Sequence, residues 1–211
     1  MDWQAMVLLG AYHGINPGMG WLFAVALGLQ QGSARGVWRA LPPIVAGHAL
    51  SVGAVLVTVG LAQLVVPADA LNLLVAAMLI SIGLYRLWRH RHPRFGGMQV
   101  GFRDLTVWSF LMASAHGAGL MVLPFLMRPS AALSAASAAH THHIASATTN
   151  VAAANALAVA VHTMTYLVVM TLAAWVVYRK VGLGLLRTAW FNMDWAWAAA
   201  LVATGIVVLL N

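Results

Sequence analysis

Four histidines lie inside long apolar stretches of the chain, at His13, His48, His116 and His162. An ionisable side chain within a membrane-spanning segment is costly to bury and is by default a functional candidate. Imidazole nitrogens bind zinc, copper, nickel and iron, and the ordinary imidazole pKa of about 6.5 also permits proton exchange. A single membrane histidine can merely hydrogen-bond to a neighbouring helix, but four on four predicted helices favour a functional cluster.

The first of these histidines stands beside a predicted helix break, in the segment Tyr12-His13-Gly14-Ile15-Asn16-Pro17-Gly18-Met19-Gly20. Lipid offers no water to a loosened backbone, so broken helix at membrane depth is tolerated only where it is buried in protein or lines a wet cavity. Asn16 lies three residues beyond His13 and would share its helix face. The segment therefore predicts an ion pathway in which Asn16 braces the broken first helix.

The polar neighbours of the histidines extend this predicted site. Ser51 follows His48 by three residues, and Met112 precedes His116 by four. The predicted ion pathway comprises His13, Asn16, His48, Ser51, His116 and His162. The predicted metal ligands are the four histidines, with Met112, His140, His142 and His143 as further candidates. Such a lining without a carboxylate favours a soft or borderline cation, Cu(I) or Zn(II), or proton-coupled movement of a neutral species.

The composition indicates that the elements carrying these residues are membrane helices. Of 211 residues, 62% are hydrophobic and only 7% are charged, whereas soluble domains carry about 25% charged residues. The sequence therefore predicts an all-α integral membrane protein with the lipid bilayer as its main partner. The absence of cysteine excludes disulfides and thiolate metal sites. Nucleic acid is not a predicted partner, since the basic residues lie in short loops between apolar spans.

Six transmembrane helices are predicted, because about 20 apolar residues cross a bilayer. They cover about 4–30, 40–65, 70–88, 104–127, 151–178 and 190–210. The first stretch is too long for a signal peptide and is interpreted as a retained span. Prolines 42 and 43 are expected to open the second span, and Asp104 to cap the fourth. Trp190, Phe191, Trp195 and Trp197 are interpreted as an interfacial belt before the sixth.

The basic residues predict the orientation of the chain. Ten of the eleven lie in the loops after the first, third and fifth spans, and only Arg128 lies elsewhere. Cytoplasmic loops carry such an excess of Lys and Arg. We therefore expect a multi-pass protein of the inner (cytoplasmic) membrane with both termini on the non-cytoplasmic side. The run Arg86–Arg94 is interpreted as an anchor to anionic lipid.

Weak internal similarity predicts two inverted three-helix repeats. His13-Gly14 in the first span corresponds to His116-Gly117 in the fourth, and His48 in the second to His162 in the fifth. Because each unit has three spans, the second must be inverted in the membrane, which is a transporter architecture. The predicted units are residues 1–90 and 104–211, joined by a basic cytoplasmic linker at 91–103. The second unit includes a histidine-bearing outer connector at 128–150.

A His-Gly…Pro-Gly-x-Gly break followed by Gly-His-x-Leu-Ser resembles the lysine-exporter superfamily, nearest its nickel/cobalt exporter-like branch. The resemblance covers about residues 10–60. It implies a small transporter of about six helices, built from three-helix units, that moves divalent transition-metal ions. The acidic residues that accompany the histidines in that branch are absent from the first two spans here. The expected ion is accordingly zinc, copper, nickel or cobalt.

Three other functions are compatible with the same residues. Four histidines in membrane helices could ligate two haem b groups in an electron-transfer protein, although haem ligation does not require the break beside His13. An intramembrane metalloenzyme would need a carboxylate general base that the spans lack. The histidines could also only bridge helices in a structural subunit. A transporter of a small cation is the preferred function, and homo-oligomer formation stays open.

Overall fold

The computed structural model describes residues 3–88, 101–126, 144–181 and 186–210, and this part of the chain is all helical. Its α-helices are α1 Trp3–Ile15, α2 Trp21–Gln30, α3 Ala34–Ala62, α4 Ala68–Trp88, α5 Phe102–Ala115, α6 Ala118–Leu126, α7 Ile144–Val176 and α8 Leu186–Leu210. A 3-10 turn, Pro17–Met19, separates α1 from α2, and a π-helical turn, Val177–Val181, follows α7.

Several of these helices suit a membrane. Within the described residues, three are long and apolar enough to cross one, namely α3, α4 and the part of α7 and its π-turn at Ala153–Lys180. The bent pair formed by α5 and α6 makes a fourth if it is counted as one span. The helix α2 and the segment Ala196–Leu210 of α8 are apolar but shorter. The all-helical prediction is confirmed, and the apolar helices are compatible with a membrane-embedded protein.

The predicted first and fourth spans are each interrupted. The first is broken by the 3-10 turn Pro17–Met19, which is followed by Gly20 with a φ of 125° that favours glycine. This break lies where the sequence predicts it. The fourth span breaks at His116-Gly117, where Gly117 has a φ of 69°, and its two halves are bent by 57°. The sequence analysis did not predict this second break. The proline of the fourth span, Pro124, is not at the break but further along, inside α6.

The start predicted for the second span is wrong. The helix α3 begins at Ala34, and Pro42 and Pro43 lie inside it. Its first turn is capped by the Ser33 hydroxyl, which accepts a hydrogen bond from the Arg35 backbone N–H at 3.2 Å. An interior proline removes one helical hydrogen bond, but α3 packs against both α2 and α5, and those contacts support the helix through the proline pair.

The boundaries near the two long connectors differ in smaller ways. Asp104 caps α5 as predicted, because its Oδ2 accepts a hydrogen bond from the Gly101 N–H at 3.2 Å. The helix α7 begins at Ile144, so the end of the predicted 128–150 connector is helical. The linker residues 91–100 and the candidate ligands His140, His142 and His143 lie outside the described residues.

Three helix pairs make most of the tertiary contacts, namely α1 with α7, α3 with α5, and α4 with α8. The α1–α7 pair runs parallel. A methyl group added at Gly10 would meet Thr165 Cβ at 2.9 Å, and one added at Gly14, a turn later, would meet Val169 Cβ at 2.8 Å. Both helices therefore advance together, with glycines of α1 against the backbone of α7.

The other two pairs have defined directions as well. In α3–α5, a methyl group at Gly47 would meet Ser109 Cβ at 2.7 Å, and one turn later the Ser51 and Ser114 hydroxyls are hydrogen-bonded at 2.9 Å. This pair is parallel. In α4–α8, Gly83 lies against Val202 and Gly205 lies against Ile80. This pair is antiparallel.

The close approach of α3 and α5 predicts a stability difference between two glycines of α3. Alanine at Gly47 would place a methyl group 2.7 Å from Ser109 Cβ and 2.8 Å from Phe110 N, whereas a methyl group at Gly53 would meet nothing within 4 Å. We expect Gly47→Ala to destabilise the fold by about 1–3 kcal/mol through overpacking. Thermal unfolding of the detergent-solubilised protein measures the effect. Gly53→Ala is the matched control, and equal melting temperatures of the two variants would contradict the packing described.

Candidate functional site

Three of the four histidines singled out in the sequence meet in one buried cluster. His13 is on α1, His48 on α3 and His162 on α7, and all three side chains are 0% exposed. The His13 ring centre lies 5.6 Å from that of His48 and 5.0 Å from that of His162. The His48 and His162 rings are 5.8 Å apart. We call these three residues the histidine triad.

The ring nitrogens of the histidine triad are largely without hydrogen bonds. His13 Nδ1 donates to the Leu9 carbonyl oxygen at 2.7 Å, and because a carbonyl only accepts, Nδ1 carries the proton and Nε2 carries a lone pair. His13 Nε2 and both nitrogens of His48 have no hydrogen-bond partner in the described structure, and the His162 ring approaches the Met6 backbone without a well-aligned hydrogen bond. The triad therefore presents five unpaired ring nitrogens in a buried environment.

Aromatic side chains enclose the histidine triad. The Tyr166 ring stacks on His48 with centres 4.0 Å apart, and its hydroxyl donates to the Met19 carbonyl oxygen at 2.9 Å. Tyr166 thus ties α7 to the break in the first span. Trp197 packs edge-on against His13 at 4.7 Å. These rings pack against His13 and His48, and the triad is shielded from bulk solvent.

The sequence suggested that Trp197 belongs to an interfacial belt. In the structure it is instead a buried part of the site. Its side chain is 0% exposed and stacks on Tyr12 at 5.0 Å. Its indole N–H donates to the His116 carbonyl oxygen at 2.8 Å. The prediction failed because the spacing of tryptophans alone does not distinguish an interfacial residue from one that faces the interior of the fold. A buried indole N–H needs an acceptor, and the His116 carbonyl oxygen provides it.

His116 adjoins the histidine triad but has a different partner. Its Nδ1 donates to the Met112 carbonyl oxygen at 2.7 Å, and its Nε2 accepts from the Arg86 guanidinium at 3.1 Å. Arg86 also donates through Nε to the Ala115 carbonyl oxygen at 3.2 Å. Sequence reasoning assigned Arg86 to lipid anchoring, whereas the structure places its head group on the break in the fourth span.

The two helix breaks meet at Gly18. A methyl group there would lie 3.2 Å from Asn16 Oδ1 and 3.3 Å from His116 Nε2. Asn16 Oδ1 accepts a hydrogen bond from the Gly18 N–H at 2.9 Å, which braces the turn as predicted, and Asn16 Nδ2 is buried without a partner. Ser51, by contrast, joins α3 to Ser114 of α5.

The arrangement is not a preformed metal site. Among the residues that the structure describes, no group of three or more His, Cys, Asp or Glu side chains is arranged to hold a metal ion. The triad rings instead meet edge-to-face or stacked. The chain matches no protein-family model, no curated protein and no solved structure. The function is therefore inferred from the chemistry of the site.

Proposed function

We propose that the protein is a membrane transporter, working as an exporter, for a small transition-metal cation that crosses the bilayer at the histidine triad. The observation that carries this proposal is the set of five unpaired ring nitrogens in a buried place. Each buried polar atom without a partner costs about 1–3 kcal/mol, and folded proteins keep few of them. A neutral imidazole has one lone pair and one N–H, so a passing cation would pair with the three free lone pairs and its hydration water with the N–H groups of His48 and His162.

The chemistry of the triad suits a borderline or soft ion. Three neutral imidazoles bind zinc, copper, nickel or cobalt, and the triad includes no carboxylate that would favour magnesium or calcium. The Leu9 carbonyl that fixes the His13 proton on Nδ1 is the outer-sphere partner typical of a metal-binding histidine. Imidazoles sharing one ion at about 2.0–2.1 Å have ring centres roughly 5–6 Å apart. The triad ring centres already lie 5.0–5.8 Å apart, so binding needs the rings to turn until one nitrogen of each faces the ion.

The helix packing supports six spans in two inverted three-helix units. In such a topology the first and fifth spans run in the same direction, the second and fourth likewise, and the third and sixth run in opposite directions. The pairs α1–α7, α3–α5 and α4–α8 have these directions. If the two units are exchanged, the first span becomes the fourth, the second the fifth and the third the sixth. The α1–α7 pair then becomes the α3–α5 pair, and the α4–α8 pair is unchanged, as inverted repeats require.

Local contacts support the same exchange. In the α4–α8 pair, Gly83 lies against Ala198 and Val202, and Gly205 lies against Ala76 and Ile80. Moving each residue to its counterpart 122 positions away converts one contact set into the other. The exchange also relates His13 to His116, which both donate from Nδ1 to the carbonyl oxygen four residues earlier at 2.7 Å.

A transport cycle follows from this architecture. The two units would rock about the triad, which draws His13 from the first span, His48 from the second and His162 from the fifth. Because metal binding needs unprotonated imidazole, protons compete with the ion and a fall in pH favours its release. The distribution of Lys and Arg supports an inner-membrane protein with both termini outside the cytoplasm. The resemblance of residues 10–60 to the lysine-exporter superfamily supports export as the direction.

The geometry favours an ion over haem b, which is the second candidate. Haem ligation requires two histidines on opposite sides of a flat porphyrin. Here the ring centres of the triad lie only 5.0–5.8 Å apart, so the imidazoles are already in contact and leave no gap for a porphyrin between any two of them. A metalloenzyme is disfavoured because the triad has no carboxylate to act as a general base.

Elemental analysis and an absorbance spectrum of the purified protein test the proposal together. We expect about one zinc, copper, nickel or cobalt ion per chain after loading and dialysis, no Soret band, and loss of the ion in His13→Ala. A Soret band lost in the same variant would establish the haem alternative. A purified protein that binds no metal ion and no haem would contradict both candidate functions.

A further inference from the structure

A cationic side chain of the first half of the chain lies at the break in the second half. The Arg86 guanidinium sits on His116 Nε2 at 3.1 Å, and His116 is the counterpart of His13 in the proposed repeat. We infer that Arg86 is a resident cation that occupies a latent second ion site at His116 and so leaves the histidine triad as the single site for the transported ion. This inference rests on the proposed function and deepens it.

The two histidines present the same chemistry from their two helices. Each donates from Nδ1 to a backbone carbonyl oxygen at 2.7 Å, Leu9 for His13 and Met112 for His116. Each therefore carries its lone pair on Nε2. The difference is the partner of that lone pair, because His13 Nε2 has none in the described structure and His116 Nε2 accepts from Arg86.

The counterpart of Arg86 explains why His13 lacks such a partner. The reciprocal contacts of Gly83 and Gly205 relate α4 to α8 by 122 positions. The same shift of 122 positions makes Val208 the counterpart of Arg86 in the second unit. The valine side chain has neither charge nor hydrogen-bond donor, so His13 is left open whereas His116 is paired with Arg86.

Because both are positively charged, the Arg86 guanidinium and a metal ion cannot occupy the site at His116 together. Arginine stays protonated in proteins and has no lone pair to give a metal. A metal ion at His116 Nε2 would have to displace the guanidinium from its hydrogen bonds to both His116 and the Ala115 carbonyl. It would also face the positive charge of the half-buried guanidinium at short range. A metal ion therefore reaches the triad but not His116.

The latent site also has a second ligand within reach. Asn16 Oδ1 and His116 Nε2 both lie close to the space above Gly18, at 3.2 and 3.3 Å from a methyl group placed there. An amide oxygen and an imidazole nitrogen form a weaker set than three imidazoles. The site exposed by loss of Arg86 should therefore bind the same ion less tightly than the triad does.

Zinc titration of the purified full-length protein by calorimetry and equilibrium dialysis tests the inference. We expect the unaltered protein to bind one zinc ion per chain and Arg86→Met to bind a second, weaker one. Addition of His116→Gln to Arg86→Met should remove only the second ion. Arg179→Met is the matched control, because Arg179 lies over the Trp175 ring at 5.0 Å, away from both breaks, and it should keep one ion.

The numbers of zinc ions bound by the unaltered protein and by Arg86→Met test the proposed function and the inference about Arg86 separately. One ion in both the unaltered protein and Arg86→Met would overturn the inference and leave the proposed function standing. No ion in the unaltered protein would overturn the proposed function. If Arg86→Met does not fold, Arg86→Gln keeps a donor for the Ala115 carbonyl without the charge, and the same second ion is expected. A single ion in folded Arg86→Gln then overturns the inference.

Discussion

We expect His13→Gln to abolish cation transport into proteoliposomes while the protein remains folded. The substitution removes the Nε2 lone pair, which the Leu9 hydrogen bond holds in one tautomer. Loss of an outer-sphere partner alone weakens metal sites about 10–100-fold, so loss of the ligand itself should reduce ion binding by more than roughly 100-fold. Glutamine is polar and of similar size, so the cluster can still pack.

The controls for this prediction come from the other histidines. His48→Gln and His162→Gln should have effects of the same order, and the double variants should not be additive because the residues share one ion. His116→Gln should retain ion binding, since its Nε2 is taken by Arg86. Undiminished zinc, copper, nickel and cobalt flux through folded His13→Gln would contradict the assignment of the triad.

Gly18→Val separates binding from transport. Its side chain would start 3.2 Å from Asn16 Oδ1 and 3.3 Å from His116 Nε2, and the two helix breaks that meet there would be forced apart. If the units rock about this junction, flux should fall at least about tenfold, which corresponds to about 1.4 kcal/mol in the barrier. Ion binding at the triad should change much less, because Gly18 is not a ligand. Flux assays and dialysis on the same preparation measure both quantities.

Gly60→Val is the matched control for this second prediction. Gly60 lies in α3, and a methyl group there would meet nothing within 4 Å. The control should transport at the normal rate. Normal transport by Gly18→Val as well would show that the junction of the two breaks does not move during the cycle.

The fold was predictable where composition and single residues decide it. Low charge and long apolar stretches predicted an all-helical chain, and the Asn16–Gly20 segment predicted the first break, because proline and glycines there interrupt helical hydrogen bonding. The second break was not predictable in the same way. His116-Gly117 carries only one helix-breaking residue, and the bend depends on Arg86 and Trp197, which arrive from other helices to bind the exposed carbonyls.

The candidate site was predictable in its main residues but not in its grouping. Position within apolar stretches singled out all four histidines as one site, whereas the structure clusters His13 with His48 and His162 and pairs His116 with Arg86. Packing directions between distant spans decide this grouping. The roles of Arg86 and Trp197 also depend on contacts across 30 and 81 positions of the chain, which no local pattern encodes.

X-ray absorption spectroscopy of the metal-loaded protein tests the central claim most directly. After loading with zinc, we expect a first shell with three imidazole nitrogens at about 2.0–2.1 Å, and loss of imidazole scattering in His13→Gln. A shell of oxygen ligands only, or an unchanged spectrum in His13→Gln, would contradict the proposal that the histidine triad binds the transported ion.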